Sequence, residues 1–176
     1  TLRFDLAETL RSLKPQKRHG TLVRRADDDL PWVNDEPIIG GPLFLDTTVY
    51  VDVLQGRSSA EVDRLLTYRL CHHSAVCLSE LTHAFGRLDP RHTSTKKVLE
   101  TIRATVADIP EHRLHAPESA IWGQAGILAG LLFRTSNLPK GEGHERKFVN
   151  DALVFLQARH LGASVLTRNI RDFDFL

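Results

Sequence analysis

Four carboxylates lie far apart in this chain, and each stands beside an apolar run: Asp46 in PLFLDTTVY, Glu80 in AVCLSELTHAFG, Asp151 in KFVNDALVFLQARH and Asp172 in SVLTRNIRDFDF. Asp46 and Glu80 each follow a short apolar stretch that reads as a buried strand. Asp151 opens an amphipathic helix, and Asp172 follows another apolar stretch. In open parallel sheets the crevice beyond the carboxyl ends of the strands is where ligands bind. Carboxylates gathered there repel one another, by about 4 kcal/mol for a pair ~4 Å apart at an effective dielectric near 20. Shared protons or a divalent cation among the oxygens relieve that repulsion. The four acids together therefore point to a site for a hard metal ion. Taken singly, each has an ordinary structural role as well. Asp46 could start a turn and cap its helix, Glu80 could be a first-turn acid favoured by the helix dipole, Asp151 a first-turn acid behind Asn150 as N-cap, and Asp172 could pair with Arg168 or Arg171.

The elements that must position these acids alternate in type. Leu43–Leu45 reads as a strand ending at Asp46, and Thr47 or Thr48 can cap a helix running through Val53. Gly56 breaks that helix, and Ser58 or Ser59 caps the next, with Val62, Leu65, Leu66 and Leu70 on one face. Ala75–Leu78 reads as the second strand, followed by a helix through Phe85. Another helix runs from Thr93 or Ser94 to about Ala107, and Leu114–Ala116 is a short strand. Ile121–Phe133 is a strongly apolar helix, and its Trp122, Leu128, Leu131 and Leu132 suit a core or a dimer surface. Ser136–Gly143 is a loop, Phe148–Leu161 a helix closed by Gly162, and Ser164–Leu166 the last strand. Strands alternating with helices imply an α/β fold with a mainly parallel central sheet.

Residues 1–41 differ from the rest and read as an N-terminal extension to a domain spanning 42–176. Leu6, Leu10 and Leu13 give a short amphipathic helix that Pro15 ends or bends. Arg11, Lys14, Lys17, Arg18, Arg24 and Arg25 follow one another without an acid, and then come Asp27, Asp28 and Asp29. Such a run reads first as a solvated arm and second as a phosphate-binding segment.

Composition narrows the class. With 176 residues, 41% hydrophobic and 26% charged, the chain can bury a real core and is not a disordered polymer. A net charge of +1 gives no global signal for nucleic acid. No apolar run approaches the roughly 20 residues that span a bilayer. Cys71 and Cys77 form no CxxC pair and read as reduced thiols of a cytoplasmic protein. The nine histidines lack zinc-site spacing and suit surface or capping positions. Gly40–Gly41 and Gly141–Gly143 match no phosphate-binding loop, and no serine nucleophile elbow is present.

LDTTVYVDVL, LSELTHAFGRL, NDALVFLQARHLGASVLTRN and RDF resemble, in that order, the motifs of the PIN domain, and within it the VapC-like toxin ribonucleases. The resemblance covers residues 42–176. It implies a three-layer fold with a Mg²⁺ or Mn²⁺ site and metal-dependent cleavage of RNA. Carried over position by position, Asp46, Glu80, Asp151 and Asp172 are the catalytic and metal-binding acids. Thr48 and Thr167 support them, and Asn169 is a polar helper at the alternative fourth position. Asp46 and Asp151 take the main ligand roles, and Glu80 ligates or orients the attacking water. The resemblance further implies a homodimer, a cognate antitoxin partner and one more strand after Leu176. Because the chain also contains no methionine, the expectation is a segment of a longer product.

RNA is the expected substrate, with Lys96, Lys97, Arg103, Lys140, Arg146 and Lys147 as candidate phosphate contacts. The long segment Leu138–Asn150 carries several of these and reads as a substrate-facing basic loop or an insertion. Two other classes compete. A phosphatase of the haloacid dehalogenase kind needs a second Asp where this chain has Thr48. A degenerate, non-catalytic PIN domain would bind RNA or protein without needing Asp46. The leucine helix of the extension could also occupy a groove of its own chain or of a neighbouring subunit.

Overall fold

The computed structural model describes residues 3–136 and 143–176. Its centre is a four-stranded, all-parallel sheet flanked by helices, in the order β3-β2-β1-β4. The strands are β1 (Leu43–Leu45), β2 (Cys71–Ser74), β3 (Leu114–His115) and β4 (Ser164–Leu166). Leu45 of β1 is in register with His73 of β2 and Leu166 of β4, so the carboxyl ends of these three strands finish level with one another. All of β1 is buried, and Phe44 is fully enclosed, as a central parallel strand covered on both faces requires.

The helices are α1 (Leu6–Leu13), α2 (Thr47–Leu54), α3 (Ala60–Tyr68), α4 (Ala75–Arg87), α5 (Thr95–Ala107), α6 (Ser119–Thr135), α7 (His144–His160) and α8 (Ile170–Phe173). The side chain of Ser59 caps α3 by accepting from the Val62 N–H at 3.3 Å. Gly56 after α2 and Gly162 after α7 both take φ +63°, a left-handed conformation that only glycine adopts without steric cost. α6 and α7 pack closely along one another, and α7 also lies against β1 and β4. Leu128, Leu131 and Leu132 of α6 are buried in this packing, whereas Trp122 remains half exposed.

Two boundaries differ from the sequence reading, and both move a site residue. Ala75–Leu78 is the first turn of α4 rather than a strand. Ser74 caps it, accepting from the Val76 N–H at 3.1 Å, and Val76, Cys77 and Leu81 form its buried face. The strand is the preceding Cys-His-His-Ser, whose position between β1 and β3 overrides its weak intrinsic β preference. α7 begins at His144, four residues before the expected start. Asp151 is therefore inside the helix, not at its opening, and the role of a first-turn acid is excluded for it. Of the cap positions open to the first helix after β1, Asp46 holds the N-cap rather than Thr47 or Thr48, and its side chain makes no capping hydrogen bond.

The N-terminal extension lies on the core. Phe4 packs so closely over Gly123 of α6 that a Cβ there would come within 2.3 Å of its ring. Arg134 of α6 donates to the carbonyls of Pro15 and Arg18, and the Leu22 N–H donates to Thr135 O at 2.9 Å. Farther along, Arg69 is buried, pairing with Glu36 at 2.6 Å and donating to Gly41 O. Arg24 and Arg25 stay exposed, as a solvated arm implies, and at the same time reach acids near the C-terminal end of the chain. Both cysteines are buried and free. No helix among the described residues is long and apolar enough to cross a membrane.

Candidate metal centre

Asp46 leaves the end of β1 with its backbone N–H bonded to Leu166 O at 3.0 Å, which ties it to the end of β4. Its side chain is buried and held on one oxygen by two hydroxyls. Thr48 Oγ1 donates to Oδ2 at 2.7 Å and Thr167 Oγ1 donates to the same atom at 2.8 Å. Those threonines are fixed in turn, because the Arg168 N–H donates to Thr48 Oγ1 and the Asn169 N–H to Thr167 Oγ1. Oδ1 of Asp46 accepts no hydrogen bond among the described residues. The supporting roles expected of Thr48 and Thr167 thus have a specific geometry: they orient one oxygen and leave the other for a ligand.

Glu80 sits in the second turn of α4. Asn150 Nδ2 donates to its Oε1 at 2.5 Å, and Thr47 Oγ1 donates to its Oε2. From sequence these two partners read as helix caps and not as supports of Glu80. The only hint of them was adjacency, since Thr47 follows Asp46 and Asn150 precedes Asp151.

Asp151 is the most telling group. It is only 8% exposed, and its Oδ2 is buried without any hydrogen-bond partner. Burial pushes its carboxyl up to about 7, and the charge of Asp46 adds to the rise. Lys147 pulls it down, while Asp172 and Glu80 push it further up. The other three sequence-selected acids therefore all act on Asp151 at the carboxyl end of the sheet.

Asp172 is placed on α8 and is shared by two cations. Lys147 Nζ lies 2.5 Å from Oδ2, and the Arg24 guanidinium lies 3.4 Å from Oδ1. Arg168 and Arg171 turn elsewhere, to Asp52 and Asp27. Burial lowers the Lys147 ammonium, but the hydrogen bond and charge of Asp172, with Asp151 and Asp46 behind it, more than reverse this and leave it raised. Asn169 sits at the N-cap of α8 and contributes its backbone N–H to Thr167.

The basic residues divide. Lys147 is brought into the site. Arg146 lies exposed in the first turn of the same helix. Lys96, Lys97 and Arg103 are exposed on α5, which packs on α2 and α4, and no ion pair joins them to the four acids among the described residues. Lys140 lies outside the described residues. So does most of the expected loop, and the part that is described, from His144 on, is helix. The adjacent His72 and His73 are in β2, not on the surface or at a cap. His73 Nδ1 meets the Tyr50 hydroxyl at 2.5 Å, and His72 Nδ1 meets His115 Nε2 at 3.0 Å.

Whether the residues fit a hard cation rests on donor type and unmet demand. The donors are carboxylate oxygens, the type Mg²⁺ and Mn²⁺ select, and an orphaned buried carboxylate oxygen is an open coordination position in chemical terms. The acids do not, however, form a closed ligand cage. Among the described residues, no three His, Cys, Asp or Glu side chains converge closely enough to hold an ion as they stand. The arrangement fits an ion held by one or two carboxylates with waters, the usual habit of Mg²⁺.

No protein-family model matches the chain, and no curated protein matches it significantly.

Proposed function

We propose that the chain is a Mg²⁺- or Mn²⁺-dependent endoribonuclease of the PIN type, the toxin of a toxin–antitoxin pair. The observation that carries this reading is the buried, partnerless Oδ2 of Asp151, on a carboxyl raised first by burial and then by three further acids at the carboxyl end of a parallel sheet. Structural carboxylates acquire donors. One that lacks them, in a crevice of other acids, is a functional-site signature.

Asp46, through its free Oδ1, and Asp151, through Oδ2, would hold the ion, with Glu80 beside them. When bound, such an ion supplies positive charge for the phosphorane-like transition state and acidifies a coordinated water. The remaining work belongs to the chain. Thr48 and Thr167 lock the Asp46 carboxylate in one orientation. Asn150 and Thr47 hold both oxygens of Glu80, so that this carboxylate faces the crevice as a fixed acceptor able to orient a water. Lys147 places an ammonium at the edge of the acids, where it can meet a phosphate oxygen. The same reading carries a homodimer, a cognate antitoxin that covers the acidic crevice, and a cytoplasmic setting.

A non-catalytic RNA- or protein-binding domain is the second reading, favoured by the absence of a closed ligand cage among the described residues. Incubation of total RNA with the protein in Mg²⁺ or Mn²⁺, beside a chelator control and Asp46→Ala, separates the two. Discrete metal-dependent cuts that vanish in the variant are expected. Intact RNA together with no measurable Mn²⁺ binding would move the assignment to the binding domain.

A further inference from the structure

The N-terminal extension adds Arg24 to this site, where it reaches Asp172, 148 positions away in sequence. Asp172 presents its two oxygens to two different cations, Oδ1 to Arg24 and Oδ2 to Lys147. A non-esterified pair of phosphate oxygens has the same demand: two adjacent anionic oxygens, each seeking a donor. Arg24 is held where it is by its surroundings more than by Asp172. The next residue, Arg25, is anchored twice on Asp174, through its backbone N–H at 2.9 Å and through its side chain. Asp27 pairs with Arg171, and the Arg24 guanidinium lies over the Phe175 ring, 4.9 Å from its centre. Its own bond to Asp172 is long, and its side chain is about half exposed. A fixed, half-solvated guanidinium at the rim of a site is what an incoming anion can engage. Lys147 is likewise about half exposed.

We propose that Arg24 and Lys147 form a two-pronged clamp for an RNA phosphodiester, and that Asp172 occupies this clamp as an internal anion in the free protein. A phosphate entering the site takes over both cations and releases Asp172 toward the other acids. The inference rests on the nuclease reading for the identity of its ligand, but its geometry does not require cleavage. Arg24 is here a substrate-binding residue, and Asp172 both a member of the acid group and a competitor for substrate.

The test is binding without metal. A short fluorescein-labelled single-stranded oligoribonucleotide is titrated in EDTA, by anisotropy and across a series of salt concentrations. The proteins are the full chain and its Asp172→Asn, Arg24→Gln and doubly substituted forms, each checked for cooperative unfolding. Asp172→Asn empties the clamp, so affinity should rise, by about fivefold, with a steeper salt dependence. Arg24→Gln should weaken binding by about threefold or more and reduce the slope of log K against log salt by about 0.7. The gain from Asp172→Asn should shrink in the double variant, where only Lys147 is left to be released. Unchanged affinity in Asp172→Asn, or an Arg24→Gln protein with the parent affinity and slope, overturns the clamp. If Asp172→Asn does not fold, the Arg24→Gln slope alone decides. A clamp found in a protein that cuts no RNA with Mn²⁺ would refute the nuclease reading and leave the clamp standing.

Discussion

Asp151→Asn should make the metal-free protein more stable at pH 8. The carboxyl is pushed from an ordinary value of 3.8 up to about 7 in the folded state. A carboxylate raised on folding contributes stability that is fully present below pH 3.8 and is lost as pH climbs through about 7, because over that window the folded state holds a proton that the unfolded state has released. At about 1.4 kcal/mol per pH unit, the window is worth about 4 kcal/mol. Above it, the ionised carboxylate is a buried charge facing Asp46, Asp172 and Glu80 that Lys147 offsets only in part. Asparagine keeps the shape and removes the charge. Allowing for an amide that finds imperfect partners, about 2–4 kcal/mol should be recovered. For a chain of this length that is a rise in Tm of roughly 4–16 °C. Differential scanning calorimetry in EDTA at pH 8 and pH 5 reads the result, with a large gain expected at pH 8 and a much smaller one at pH 5. Adding Mn²⁺ should raise the Tm of the parent protein and leave that of Asp151→Asn nearly unmoved, since the ion supplies what the substitution already removed. A variant less stable than the parent at pH 8, or equally changed at both pH values, would refute the claim that an unpaired buried charge sits at this position.

Two further outcomes test the surrounding framework. His73 is held down to about 4, first by burial and then by the charges of His72, Arg113 and His115; a depressed group's stabilisation is lost as pH falls from 6.5 through about 4, so His73→Gln should flatten the acid limb of the stability profile in chelator, and an unchanged limb would remove His73 as its cause. Thr167→Val removes one of two hydroxyls that orient Asp46 Oδ2 and should weaken Mn²⁺ binding about tenfold in calorimetric titration without loss of the fold, whereas unchanged affinity would mean that Asp46 needs no such support.

Much of the architecture is legible because its signals are local. Leu43–Leu45 is a short apolar run that stops at an acid, Gly56 and Gly162 fall where a left-handed residue is needed, and Ser59 stands at its helix start; each of these keeps its role in the structure. The misread boundary at β2 has a non-local cause. Ala-Val-Cys-Leu is as apolar as a buried strand, and periodicity over four residues does not separate a strand from the buried face of a helix. Cys-His-His-Ser becomes a strand only because two other strands flank it. The early start of α7 follows the same logic, since His144–Lys147 is polar and carries no periodic signal, yet continues a helix anchored by the buried Phe148, Ala152 and Leu153.

The acids themselves were readable as a set, but the groups that give each its character were not. Thr47, Asn150 and Arg24 are ordinary residues until the fold brings them to Glu80 and Asp172. Asp151 shows why the difference matters. Read as the opening of a helix, it has a routine role next to the positive end of a dipole. Placed inside α7, it has no partner for Oδ2, because Lys147, one turn earlier, gives its hydrogen bond to Asp172 instead. A fold selected for stability alone would not keep a group whose ionisation costs about 4 kcal/mol, because isosteric asparagine would relieve it. Its persistence is understandable if a ligand that the free chain lacks restores the balance, and the chemistry of a hard cation among carboxylates does so.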